Sequence, residues 1–397
     1  MGAVTEGLVR RLAAAAQADG GAAREIEGLS VLVEDFEIPF DADGAVVPDG
    51  DLRGGHDAFR RDGRGEGGDD SEGSPVDCVP LNLENAVLKA RSETGFARLD
   101  RSLVRAAGPQ RVKFLHGLLS NDIAALGASE SRLAALMNVK GQQVAWMRVL
   151  ALGDALECEM PNAVLDVVLE TFLHYKVGAP VRFEKRDTVV FGLCGEGAGA
   201  VLREAGLESA PSLVGHFANG ALFGAPARVI RADDFPARGF LIHADSAAAA
   251  IIEGGLRHRT GEALSVEVLD TLRIEDGLPW HGIDVTAENL LHETGQLSRY
   301  HSSAKGCYLG QEVVARLEGR GGHVNKRLMG LRLAARVRAG DPIEFEGERI
   351  GAVTSEGASP TLGPVAMGYV HRNQARAEIR VTVAGIEGVT AELPLLA

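Results

Sequence analysis

The order of apolar runs predicts an α+β protein with more than one core, ending in a small antiparallel β domain. Three observations carry this. Strand-like and helix-like segments arrive as strand–strand–helix runs and not as strict βαβ alternation, which disfavours a doubly wound parallel sheet. After Lys326 the apolar runs become short, strand-like and turn-separated, the spacing of a small barrel or sandwich. A chain of 397 residues also exceeds what a single core usually organises.

Ser102–Ala107 reads as a strand, and Gly108-Pro109 turns it into a helix whose Val112, Leu115, Leu118 and Leu119 recur at helical spacing. That helix ends near Ser120-Asn121-Asp122. Ala134–Asn138, Val144–Leu152 and Leu156–Met160, with a Lys140-Gly141 turn, read as an antiparallel meander. A helix over 161–174 puts Val164, Val167, Val168 and Phe172 on one side. Strands Val181–Phe183 and Val189–Leu193 follow, then helix Gly197–Ala205. Similar units return with strands Ala227–Arg231 and Phe240–His243, an alanine-rich helix over 246–255 and a helix Val266–Ile274. The C-terminal strands are Leu328–Leu333, Pro342–Phe345, Glu348–Val353, Gly368–Val370, Ala377–Val383 and Val389–Leu393.

Residues 1–95 form an N-terminal segment. Over about 41–80 glycine, aspartate and arginine crowd together, with almost nothing to bury against the entropy of ordering, so the stretch is expected to be a mobile insertion. Leu8 to Ala16 faintly echo a targeting helix, but Glu6, Asp19 and Glu25 argue against one. The expected divisions are 1–95, 96–325 and a C-terminal barrel over 326–397.

Composition narrows the function. The net charge of −14 repels phosphate backbones and anionic lipid, so neither nucleic acid nor a membrane is an expected partner. A mean hydropathy of +0.02 is that of a chain folding in water. Cys78, Cys158, Cys194 and Cys307 form no CxxC pair, which fits a reducing cytoplasm better than a disulfide framework or a closed zinc site. His281, His292, His301 and Cys307 share one window, but without the tight ligand pairs of a zinc site. No permanently bound metal is expected.

Lys305-Gly306-Cys307-Tyr308-Leu309-Gly310-Gln311-Glu312 sets one thiol between two glycines, close to a lysine and ahead of a basic, glycine-rich loop. From residue type alone Cys307 is a small buried hydrophobe. The segment, however, resembles the K-G-C-[YF]-x-G-Q-E signature of the YgfZ family, folate-binding proteins of iron–sulfur cluster maturation related to the glycine-cleavage aminomethyltransferases. Phe114 to Asp122 is similar to that family's F-L-Q-G-x-x-T-N-D, with His116 for glutamine and Ser120 for threonine. Asn138-Val139-Lys140-Gly141 resembles its next turn, and Leu272 to Pro279 the L-R-x-E-x-G-x-P shared with the transferases. The likeness runs from about Leu99 to the end of the chain.

The resemblance implies a three-domain ring, two interlocked α+β portions and a C-terminal antiparallel β-barrel around a folate pocket. It implies a tetrahydrofolate-binding accessory factor in iron–sulfur cluster assembly or repair, partnered by cluster scaffolds or clients, with no assured turnover. Cys307 is then the essential thiol and a transient iron–sulfur contact, since thiolate is the usual cluster ligand. Lys305, Tyr308, Gln311 and Glu312 position or tune it: a cation and the amides opening a helix Gln311–Leu317 favour thiolate. Asp122, Asn121, Arg273, Trp280 and Arg316 are the implied folate residues. Their ordinary readings are a helix-end cap for Asp122, a surface ion pair with Glu275 or Asp276 for Arg273 and a core filler for Trp280.

The alternative is a folate-dependent aminomethyltransferase or demethylase-type enzyme. Against it, transferases carry a glutamate where Gly239-Phe240-Leu241 places a leucine, and that role calls for a pocket carboxylate in place of Leu241. Arg316, Arg320, His323, Lys326 and Arg327 form a basic patch, either a solvated loop or a receptor for a polyanion such as a folate glutamate tail or an acidic partner.

Overall fold

A computed structural model describes residues 81–396. The expected mobile insertion and Cys78 lie outside them.

The elements run α1 (Leu81–Ser92), β1 (Gly95–Leu99), β2 (Arg101–Ala107), α2 (Arg111–Leu118), β3 (Ser131–Met137), β4 (Gln143–Ala151), β5 (Ala155–Pro161), α3 (Leu165–Tyr175), β6 (Arg182–Arg186) and β7 (Thr188–Cys194). Then come α4 (Ala198–Glu204), β8 (Phe217–Leu222), β9 (Ala225–Arg231), β10 (Phe240–Asp245), α5 (Ser246–Thr260), α6 (Val266–Glu275), α7 (Leu297–Tyr300) and α8 (Gln311–Gly319). Strands β11 (Lys326–Leu333), β12 (Pro342–Phe345), β13 (Glu348–Ser359), β14 (Gly363–His371), β15 (Arg380–Val383) and β16 (Ile386–Ala391) end the chain.

Two open antiparallel sheets hold the first part. One is ordered β3-β4-β5-β2-β6, the other β1-β7-β10-β9-β8. The chain passes between them at Asp100 and at Asp187, single residues between strands that belong to different sheets. These crossings interlock the two halves.

Alternation along the strands gives each sheet two faces. In the first sheet Val104, Ala106, Val149, Cys158 and Met160 pack with Leu115, Val168 and Phe172 of α2 and α3. Leu103 and Leu150 point the other way, joining Val190, Ile230 and Leu241 of the second sheet and Leu269 and Leu272 of α6. The second sheet's outer face, with Phe191, Leu193 and Ile242, is covered by Leu202 of α4 and Ile252 of α5. Gly192 leaves room on the inner face for Phe235, whose ring a Cβ there would meet at 2.2 Å.

The expected barrel-or-sandwich closes as a six-stranded barrel, β11-β14-β13-β12-β15-β16, with β16 returning to β11. Met329, Leu331, Ile343, Val370 and Val383 fill it. The α+β class with a C-terminal antiparallel barrel therefore holds. Two strands run longer than their apolar runs suggested. Strand β13 continues past a bulge between Val353 and Ser355 because its polar second half faces α6, where Thr271 Oγ1 donates no side-chain bond to the barrel but accepts one from the Ala358 amide at 3.1 Å. Strand β14 begins at Gly363, ahead of an apolar stretch that the glycines obscure. Val167, expected on the buried side of its helix, is 42% exposed: Leu165, Val168 and Phe172 of α3 are buried against the sheet, with Leu169 partly buried beside them.

Candidate functional site

Between the inner faces, at the Tyr300 end, lies a cavity of about 300 Å³. Trp146, Trp280 and Tyr300 give it aromatic walls, and Leu133, Met147 and Ile283 add apolar ones. Trp146 and Tyr300 stack, centroids 4.1 Å apart, and Trp146 Nε1 donates to Gln143 Oε1 at 2.9 Å, fixing the wall.

The cavity's other side is charged. Arg101, Arg148, Glu159 and Asp234 all line it. Arg101 Nη1 donates to Glu159 Oε1 at 2.6 Å and reaches Asp234 Oδ2 at 3.5 Å. Arg148 donates to Asp234, to Asp233 at 3.3 Å and to Ser131 Oγ at 3.0 Å. The second Glu159 oxygen meets His243 Nε2 at 2.8 Å. Burial alone raises a carboxyl pKa, but here Arg101 and His243 hold Glu159 down to about 2, and Arg148 and Arg101 hold Asp234 well below the usual carboxylate range. Burial pushes Tyr300 up and His281, another lining residue, down to about 4. The Gln143 backbone is beside the His281 ring yet outside hydrogen-bond geometry, and both ring nitrogens are occluded.

Of the five residues that the resemblance assigned to folate, only Trp280 lines the cavity. Asn121 is a buried strut: Nδ2 donates to the carbonyls of Leu133 at 2.8 Å and Arg299 at 3.0 Å. Asp122 caps the Ala125 amide at 3.1 Å and faces His116 Nδ1 at 3.4 Å. Arg316 is exposed, paired with Glu312 at 2.5 Å. Arg273 is neither a surface pair with Glu275 or Asp276 nor a cavity residue. It is fully buried, bonded at 2.6 Å to each of Asp270 and Asp284, with its guanidinium 5.1 Å from the Trp280 ring. Asp284 also accepts from Trp280 N, Thr354 Oγ1 and Ser355 Oγ, so Arg273 braces the cavity's Trp280 against the barrel.

Cys307 is exposed, and it is not among the residues lining the cavity. Lys305 does not turn to it. Its ammonium donates to the carbonyls of His116, at 2.5 Å, and Leu119, at the C-terminal end of α2, where a cation complements the helix dipole. Burial, partly offset by Asp122, brings Lys305 down to about 8. Nζ is also 4.7 Å from the Tyr308 ring. Gln311, first residue of the expected helix, accepts the Tyr308 amide through Oε1 at 3.2 Å, and Gly310 takes a φ of +82° where a Cβ would strike Asn138 O at 2.6 Å. Tyr308 shares one buried cluster with Trp146 and Tyr300, which connects the thiol loop to the cavity wall.

Among the described residues no three His, Cys, Asp or Glu side chains converge as a metal site. Cys158 and Cys194 are buried, and burial pushes both thiols up to about 12. Arg101, Arg148, Glu159, Asp234 and Tyr300 were not singled out from sequence, and the residue type of Trp146 suggested only a core filler. A signal existed: Arg148 interrupts the apolar run Val144–Leu152, and Glu157 and Glu159 alternate inside Leu156–Met160.

Residues 326–395 match the family model of the glycine cleavage T-protein C-terminal barrel domain. The chain is 32% identical over 239 residues to the tRNA-modifying protein YgfZ of Yersinia enterocolitica, covering 58% of this chain and 68% of that one. The chain belongs to the YgfZ family. A YgfZ protein of Yersinia pestis matches at 32% over 234 residues, with the same shares. Among solved structures, the glycine cleavage system aminomethyltransferase T of Bartonella henselae superposes with a TM-score of 0.72 at 25% identity, over 80% of this chain and 90% of that one. This YgfZ-family chain thus shares the transferase architecture.

Proposed function

We propose that the protein is a tetrahydrofolate-binding accessory factor in iron–sulfur cluster assembly or repair, acting through Cys307. The observation that carries this is a separation: an exposed thiol outside an aromatic cavity whose two buried carboxylates, Glu159 and Asp234, are already paired, Asp100 being an exposed lining residue.

A pterin suits the cavity by chemistry. Trp146, Trp280 and Tyr300 offer flat faces on which a heteroaromatic ring stacks. Tetrahydrofolate, when bound, would supply a carrier for a one-carbon unit. The chain's residues would hold its ring and exclude water from it. Glu159 and Asp234 are poor bases, because arginines and His243 already occupy their oxygens. Leu241 corrects an earlier expectation: it is buried in the inter-sheet core, not beside the cavity, so substitution there restores no pocket carboxylate. The pairing of both buried carboxylates supports binding over methylene transfer, and leaves the exposed Asp100 as the lining carboxylate that a transferase reading would have to use.

Cys307 would furnish one thiolate to a cluster carried as substrate, a scaffold or client protein completing the shell. The relatives are named for tRNA modification; with a net charge of −14 this chain reaches that process through cluster-dependent modifying enzymes rather than by gripping tRNA. No helix among the described residues is long and apolar enough to cross a membrane.

The test is complementation of a deletion strain, scored by cluster-dependent enzyme activity, with calorimetry against tetrahydrofolate. Wild type restores activity and Cys307→Ser does not, while both bind folate equally. Equal rescue by Cys307→Ser overturns the proposal, and one-carbon transfer from an aminomethyl donor by Cys307→Ala would establish the transferase reading instead.

A further inference from the structure

The basic residues that follow the thiol loop in sequence separate in the fold. Arg316 turns to Glu312, and Lys326 lies over the Tyr369 ring with Glu293 at 3.9 Å. His323 and Arg327 instead help line a second hollow, of about 600 Å³, with His292, Arg372, Asn373 and the Gly321-Gly322 turn. No acidic residue lines it, although the chain holds 55 acidic against 41 basic side chains. Among the described residues the Arg372 guanidinium makes no hydrogen bond or ion pair, and Arg327 has only Glu392 at 3.9 Å. Glu318, which acts electrostatically on the lining His292, faces His301 at 3.8 Å.

One objection is the adjacent C-terminal end of α8, whose carbonyls repel anions. Those carbonyls are occupied: Leu317 O accepts from the amides of Arg320 and Gly322, and Glu318 O from Gly321. Gly321 and Gly322, at φ +77° and +72°, make that cap possible.

We propose that this hollow binds a small phosphate-bearing ligand, a phosphomonoester of about nucleotide size. Two guanidiniums and two imidazoles offer more N–H donors than the two oxygens of a carboxylate can accept, whereas a phosphomonoester brings three terminal oxygens and nearly two charges. The volume leaves room for the group that carries the phosphate. The acidic field of the whole chain disfavours a long polyanion in the same place.

Calorimetry on the full chain at low ionic strength tests this with pyrophosphate, adenosine 5′-monophosphate and adenosine as probes. Pyrophosphate and the monophosphate should bind, and adenosine at least tenfold more weakly. Arg372→Gln and Arg327→Gln should each weaken the monophosphate about tenfold, Arg372→Lys less, because it keeps the charge and loses the planar fork. Tetrahydrofolate affinity should not change in any of them, which separates this site from the central cavity. The proposal is overturned if the phosphate probes give no binding or if Arg372→Gln binds them as wild type does. Single-stranded RNA binding more tightly than the monophosphate would likewise overturn it, assigning a polynucleotide surface.

Discussion

The cavity wall and the thiol loop are joined through one cluster, Trp146, Tyr300 and Tyr308, yet they are organised in opposite ways. The wall concentrates charge where water is excluded: Arg148 is 1% exposed, and Glu159 and Asp234 each meet more than one cationic partner. The loop spends little on its exposed thiol and anchors itself through neighbours, Lys305 on the end of α2 and Gln311 on the Tyr308 amide. A buried charge network fixes geometry and tolerates no missing member. An exposed group on a braced loop can be changed without cost to the fold.

That contrast can be broken by mutation. The largest effect is expected for Arg148→Ala, which leaves Asp234 and Asp233 short of their cation in the interior and should cost about 3–5 kcal/mol by denaturant unfolding. A loss under about 1 kcal/mol would mean that the network is not the wall's frame.

Acid should reveal the same layer. His281, held neutral by burial at about 4 against an ordinary 6.5, takes up its proton more readily unfolded, so stability falls as pH drops from 6.5 to 4, by up to about 3 kcal/mol. Glu159 and Asp234 have depressed values, so their contribution is present above the ordinary carboxylate range and is lost below it, towards about pH 2. Unfolding of His281→Asn across this range should flatten the upper slope, leaving the part that His116, His292 and His301, also lowered by burial, supply, and should keep the lower one.

On the loop side, Lys305→Met should cost about 1–3 kcal/mol, since it strips a buried donor from the His116 and Leu119 carbonyls. Thermal unfolding would show a smaller change than Arg148→Ala; a larger one would make the loop the stiffer region. Smallest of all, Cys307→Ser should alter stability by less than about 0.5 kcal/mol, as for an exposed side chain without structural bonds. A large loss would make the thiol a structural group.

Legibility followed from how far apart partners lie in the chain. The meander β3–β5, the helix Val266–Glu275 and the C-terminal strands were readable because alternation and helical spacing are local. The thiol signature was readable because its eight residues are consecutive. Arg273 was misread because its partner Asp284 lies 11 residues on, past a turn, and its cover Trp280 reaches back over it. Lys305 was misread because its carbonyl partners lie 186 and 189 residues away.

By itself the sequence determined the class of fold, its closing β domain, the family likeness and the one thiol set among glycines, all properties of neighbouring residues and their periodicity. Only the tertiary structure decided which side chains face the cavity. Arg101, Arg148, Glu159 and Asp234 come from four separated segments, and two sheets had to pack face to face before burial could make their pairing obligatory.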